Sequence, residues 1–346
     1  MNKISVIFTG GTIGSIASDG DISPSSTTKS LLLNKYAQKY NKDLSRFIDT
    51  SPISILSENA NVADIIKMYK EILNASKQDV KGIIMTHGSD TLAYSGAYLS
   101  ILSYNIKKPI VLVASNFVLT NELANGIDNF ACAVDLIDDV NCKSGVYVAY
   151  KNPQDSFVSV HLACRMCEPA PYSDSFLSPV GYRYATWKNG KLNYENTSFE
   201  VSNQNFDFNG TFKNSALVIN PFTGLDYNNY KQGGFNYVLH NLYHSGTANT
   251  QNFVNESMDT NFLNFADYCN KNKIPLYICN IKKKDENYNS TNQILTKNNV
   301  KILYDILPNI ALAKLNIGYN LLPKEMLENF LFTNICGEMI KDKQYI

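Results

Sequence analysis

Two short segments of the chain combine glycines with alcohols and a carboxylate at spacings suited to holding a polar ligand. The first, Thr9-Gly10-Gly11-Thr12-Ile13-Gly14-Ser15, follows the apolar run Ile4 to Phe8, and the second, Thr86-His87-Gly88-Ser89-Asp90-Thr91, follows Ile83 to Met85. Glycines just past a strand let the backbone turn sharply and approach a ligand closely, while free N–H groups there stabilise negative charge. Thr12 sits in the middle of the first turn, at the carboxyl end of the sheet where open α/β folds place their ligands. By itself that turn equally suits a dinucleotide phosphate. The second segment, leaving another strand in the same way, places three hydroxyls and Asp90 on the same edge and makes the pair far more specific than either alone.

Other candidates carry less. His87 is expected to be a buried, satisfied histidine, the commoner state of such a residue. His161, His240 and His244 have no carboxylate or cysteine at ligand spacing, and no metal site is expected. Cys164-Arg165-Met166-Cys167 has redox or zinc spacing, yet it is a single pair in strand-like surroundings. Tyr104 and Lys108 have the Tyr-x-x-x-Lys spacing of short-chain reductases but fall in a polar linker, and the first turn lacks a full Gly-x-Gly-x-x-Gly pattern, which argues against nicotinamide. The run Lys282 to Glu286 reads as a solvated loop.

The elements that must position these groups alternate. Ile4 to Phe8, Ile83 to Met85, Ile110 to Ala114 and Val146 to Ala149 read as buried parallel strands. Between them, Val62 to Leu73 follows helical spacing after Asn61, a candidate N-cap, and Leu123 to Ile137 forms a second helix ended by Asp138 and Asp139. A further strand is expected over Ile53 to Leu56. From about Trp187 to Lys213, Asn, Ser, Gly and isolated aromatics replace the periodic pattern, which marks an interdomain connection. Beyond it, Leu217 to Ile219, Tyr237 to Leu239, Leu276 to Cys279 and Ile302 to Ile306 restart the alternation. The expected fold is α/β: a larger N-terminal doubly wound domain with a mostly parallel sheet (residues 1–190), a linker (191–213) and a smaller C-terminal α/β domain (214–346).

Composition narrows the partners. Lys plus Arg, 31, balance Asp plus Glu, 31, so charge favours neither nucleic acid nor an anionic membrane, and a small neutral or zwitterionic ligand fits better. Seven scattered cysteines, mostly in apolar surroundings, point to reduced thiols. No segment approaches the roughly 18 apolar residues a membrane span needs, and a cytoplasmic protein is expected.

Taken together, the two glycine segments resemble the signature segments of the L-asparaginase family, T-G-G-T-I and H-G-T-D-T. The likeness extends to Ser57-Glu58, to Gly246-Thr247-Ala248-Asn249, and to Ile306 to Leu315 with Ala311, Leu312, Ala313 and Lys314. The resemblance implies hydrolysis of L-asparagine through an acyl-enzyme on a threonine, which is Thr12 here. It makes Ser89 the second hydroxyl, and Asp90, Ser57 and Glu58 the groups that bind the substrate's ammonium and carboxylate, beside Gly88. Backbone N–H groups near residues 12 and 89 would hold the oxyanion, worth roughly 3 kcal/mol per donor. Asn249 would reach the site from a neighbouring subunit of a homodimer or homotetramer, and no cofactor is implied.

Two positions depart from the family pattern. The lid that usually carries a tyrosine reads Gly20-Asp21-Ile22-Ser23-Pro24, so Asp21 stands where a hydrogen-bond partner of Thr12 is expected. Upstream of Phe176-Leu177-Ser178-Pro179, the position of the family lysine falls to Arg165, which can donate and orient but cannot act as a base. His161 or Glu168 then supplies the base, or the chain is a catalytically impaired homologue that binds an amino acid or related amide without efficient turnover.

Overall fold

The computed structural model describes residues 3–18, 20–25, 27–252, 257–281, 283 and 286–340. Lys282, Lys284 and Asp285 of the charged run lie outside the described residues. The described residues divide into a larger unit, 3–202 with 335–337, and a smaller unit, 203–334 with 338–340.

The larger unit runs β1 (Lys3–Ile7), the hairpin β2 (Ser15–Ser18) and β3 (Asp21–Pro24), α1 (Thr28–Tyr40), β4 (Phe47–Thr50), α2 (Val62–Ser76), β5 (Val80–Thr86), α3 (Leu92–Leu102), β6 (Pro109–Val113), α4 (Gly126–Asp138), β7 (Gly145–Tyr150), β8 (Val158–Leu162), β9 (Ala185–Lys188) and β10 (Lys191–Tyr194). Its eight-stranded sheet has the order β10-β9-β8-β7-β6-β5-β1-β4. The strands from β7 to β4 are parallel, whereas β8, β9 and β10 continue antiparallel. Strands β5, β6 and β7 are buried almost throughout, as apolar, β-branched-rich runs covered on both faces must be.

Local chemistry sets the helix starts. Asn61 caps α2 by accepting from the Ala63 N–H at 2.8 Å, and Asp64 closes the capping box from the other side. Helix α4 begins at Gly126 rather than Leu123, because Asn116 and Asn125 each accept the other's backbone N–H at 3.0 Å and hold the preceding segment as a loop.

Two expectations are corrected here. Ile53 to Leu56 is not a strand: the ladder partner of β1 is β4, and Ile55 forms only an isolated bridge to Gly10. Pro52, which has no N–H to donate, separates the two. The stretch read as a connection from Trp187 onward begins instead with the β9–β10 hairpin at the sheet edge, where the Trp187 indole N–H donates to Asp135 at 2.8 Å.

The smaller unit is a four-stranded parallel sheet in the order β11 (Ala216–Ile219), β12 (Tyr237–Asn241), β13 (Leu276–Ile281), β14 (Val300–Tyr304), with α5 (Phe262–Lys271), α6 (Asn289–Leu295), α7 (Pro308–Leu321) and α8 (Lys324–Phe332). Val238, Leu276 and Ile278 pack with Phe262, Phe265 and Ile294 in one apolar cluster. Under α7, the fully buried Lys314 ammonium donates to the Glu338 carboxylate and to the Thr333 carbonyl. No helix among the described residues is long and apolar enough to cross a membrane.

Candidate functional site

Three loops of the larger unit converge, and two of the contacts between them depend on a glycine's missing side chain. The Gly11 N–H donates to the Ile55 carbonyl at 2.8 Å, and the Ile55 N–H donates to the Thr9 carbonyl at 3.1 Å, stitching the β1 loop to residues 53–57. A Cβ on Gly11 would lie 2.3 Å from the Gly88 nitrogen, and Gly11 itself has φ +72°. A Cβ on Gly88 would lie 2.3 Å from the Ser57 hydroxyl. No L side chain fits at either point. The loops are also tied by Thr9, whose N–H donates to the Thr86 hydroxyl at 3.1 Å and whose hydroxyl donates to the Thr86 carbonyl.

This convergence decides where the chemistry-bearing groups stand. Thr12, next to Gly11, opens a 3-10 turn and is partly exposed, as is Ser89, next to Gly88. Asp90 and Glu58 are exposed, and Ser57 is buried. The Ser57 hydroxyl donates to the Asp90 carboxylate at 3.5 Å, and the Thr91 hydroxyl donates to the Ser57 carbonyl at 3.0 Å. Both Ser57 and Asp90 are therefore preset by the loops they join. Ser15 steadies the first turn by donating to the Gly11 carbonyl at 2.8 Å.

His87 lies buried beneath the second loop. Its Nδ1–H donates to the Gly88 carbonyl at 2.7 Å, since a carbonyl can only accept, and its Nε2 has no hydrogen-bond partner. Burial pushes its pKa below the usual histidine value, with the Gly88 bond opposing, so the ring is neutral and acts as a brace. His161 is buried too, with Nδ1 on the Ser178 hydroxyl at 2.8 Å. Burial, with the nearby Arg183 charge, lowers its pKa to about 4.

The groups expected beyond these loops have other surroundings. Asp21 is exposed and pairs with Ser18 at the far end of the β2–β3 hairpin, while Ser15 and Pro24 pair at its base. Three residues of strand carry its backbone roughly 10 Å beyond Ser15, away from the Thr12 turn. Arg165 is buried, and its Nε donates to the Gly337 carbonyl. Cys164 is buried next to the Cys336 carbonyl, and all seven cysteines are free thiols. In the smaller unit, the Asn249 amide is consumed locally: its Nδ2 donates to the carbonyls of Gln251 and Thr260, and its Oδ1 accepts from the Gln251 N–H at 2.9 Å. Among the described residues no three His, Cys, Asp or Glu side chains are grouped to hold a metal.

One pair went unread in the sequence. Tyr94, on the first turn of α3, is half-buried near the exposed Glu168 carboxylate, and burial, with the influence of that carboxylate, raises the tyrosine pKa. Its only sequence signal is its position, five residues past Ser89 on the helix that the second loop opens.

The sequence and the fold have relatives among known proteins. A glutamyl-tRNA(Gln) amidotransferase subunit of Saccharolobus solfataricus is 24% identical, over 98% of this chain and 76% of that protein. The thermostable L-asparaginase from Thermococcus kodakarensis has the same fold, with TM-score 0.75 at 18% identity, covering 98% of this chain and 100% of that one. L-asparaginase I from Vibrio cholerae superposes with TM-score 0.75 at 19% identity, covering 98% and 99%. The model of the asparaginase N-terminal domain matches residues 3–199, more than half of the chain and the whole of the three-loop site. With that match joined to the meeting of its two glycine loops, the chain belongs to the asparaginase family.

Proposed function

We propose that the protein is an L-asparaginase-type amidohydrolase that converts L-asparagine to L-aspartate and ammonia. The Thr12 hydroxyl attacks the side-chain carboxamide carbon, the C–N bond breaks as ammonia takes up a proton and leaves, and water then cleaves the Thr12 ester. Ser89 relays the proton and holds the water, Asp90 and Glu58 bind the substrate ammonium, and the Ser57 hydroxyl turns from Asp90 to donate to the substrate carboxylate. The observation that carries this reading is the close approach of Gly11 to Gly88, with the adjoining Thr12 and Ser89 both partly exposed.

Arg165 has no part in the proton path, because a guanidinium remains protonated and its Nε is spent on the Gly337 carbonyl. Of the two bases the sequence offers, His161 is closed off and bonded to Ser178, whereas Glu168 is at the surface. We assign proton acceptance to Glu168. The same reading places the enzyme in the cytoplasm as a homodimer or homotetramer, with the loop braced by Asn249 approaching the site from a second copy.

A second reading follows from the archaeal relative, which is named as one subunit of an amidotransferase. In that reading, ammonia leaves this chain for a partner that aminates another substrate, and release by the isolated protein is slow. Incubating the purified protein with L-asparagine and with L-glutamine while measuring ammonia tests both. Steady release that falls by at least about 10³-fold in Thr12→Ala is expected. Thermal stabilisation by asparagine without ammonia release would overturn catalysis by the isolated chain and leave a binding protein.

A further inference from the structure

At the amino-terminal edge of the smaller sheet, a cavity of about 690 Å³ opens between the end of α5 and the α7–α8 pair. That volume lies within the range of about 300 to 1,000 Å³ that small-molecule sites occupy. Its walls are apolar and aromatic, built from Tyr277, Tyr319, Leu322 and Leu327. The Tyr277 and Tyr319 rings cross edge to face with centroids 6.2 Å apart, and their hydroxyls lie 2.9 Å from each other. Burial raises both phenol pKa values, so both keep their protons. Only one proton is used between them, which leaves the other O–H as a donor for a third group.

The charges at this cavity do not balance. Lys273, Lys301 and Lys324 line it with a single carboxylate, Glu328, and that carboxylate pairs with Lys301 at 3.5 Å. Lys273 and Lys324 are exposed at its mouth. Lys273 sits at φ +55°, a conformation glycine adopts more readily, where the α5 C-terminus turns into β13. A ligand that complements these walls is flat and apolar in its body and negatively charged at one end.

We propose that this cavity binds a small organic anion, an aromatic carboxylate or phosphate, with its ring against Tyr319 and Leu327 and its charge between Lys273 and Lys324. The site belongs wholly to the smaller unit and does not depend on the amidohydrolase reading.

The test is calorimetric titration of the full chain with 1-naphthoate and with its neutral analogue 1-naphthalenemethanol. One-to-one binding of the anion, at least ten-fold tighter than the alcohol, is expected, and a K273Q/K324Q variant should lose that preference. Both lysines are exposed, so the variant retains the fold. Thr12→Ala should leave naphthoate binding unchanged. Equal affinity for anion and alcohol, unaltered binding by the lysine variant, or loss of binding in Thr12→Ala would each overturn the proposal. So would a change of oligomeric state on lysine replacement, seen by sedimentation, since the face would then be covered by a second copy of the chain.

Discussion

Both units are built on parallel sheets, yet they spend their polar groups differently. In the larger unit the loops leaving β1 and β5 touch through Gly11 and Gly88, and the polar residues beside those glycines remain accessible. In the smaller unit the loop after β12 is closed on itself: Asn249 bonds its own neighbours, Gly246 packs against Ile281, and the Lys314–Glu338 pair is sealed inside. Parallel topology alone therefore does not make a site. What distinguishes the two is whether neighbouring loops can approach until their backbones touch, with Thr12 and Ser89 left partly exposed beside the contact.

That contrast can be broken most forcefully at Lys314. Lys314→Met leaves the Glu338 carboxylate buried without its cation, and a loss of about 3 to 5 kcal/mol is expected in denaturant unfolding of the smaller unit. A change below 1 kcal/mol would mean that water reaches the pair. Gly11→Ala attacks the other side of the comparison, since a side chain there meets the Gly88 backbone and φ +72° strains it. Displacing the loops by an ångström should lower asparagine turnover by about 10²-fold with modest loss of stability. Unchanged turnover would show that the close approach is dispensable.

The effect of pH is gradual and involves both units. His161 and His240 are each lowered to about 4 from 6.5, mainly by burial, so between those values the unfolded chain binds protons that the native chain does not. Their contribution is fully present above about pH 6.5 and is lost as pH falls through 4, at up to about 1.4 kcal/mol per pH unit for each. Thermal unfolding followed from pH 7 to pH 4.5 should show this slope, and His161→Gln should flatten it. The smallest effect is expected at Asn249. Replacing it with Ala removes the loop's own bonds and should cost about 1 kcal/mol, read from the unfolding midpoint, as a local brace would.

Much of this was legible in residue order. The buried strands β1, β5, β6 and β7 and the capped helix α2 follow from apolar runs and the Asn61 cap, which are local signals. The glycine turns were legible for the same reason. Less visible were the β9–β10 hairpin, whose short alternating strands carry weak periodicity, and the mispositioned strand over Ile53 to Leu56, where apolar residues serve a single bridge. The Lys314–Glu338 pair spans 24 residues, and neither residue's neighbours reveal that it will be buried.

Sequence alone determined the alternation of strand and helix, the two glycine turns and the alcohols beside them, because each rests on interactions among residues near in the chain. Only the tertiary structure decided that Gly11, Gly88 and Ser57 meet, that Arg165 turns to the Gly337 carbonyl, and that Asn249 spends its amide on its own loop. Those outcomes depend on which distant backbone groups compete for the same donors, and that competition exists only once the sheets have formed.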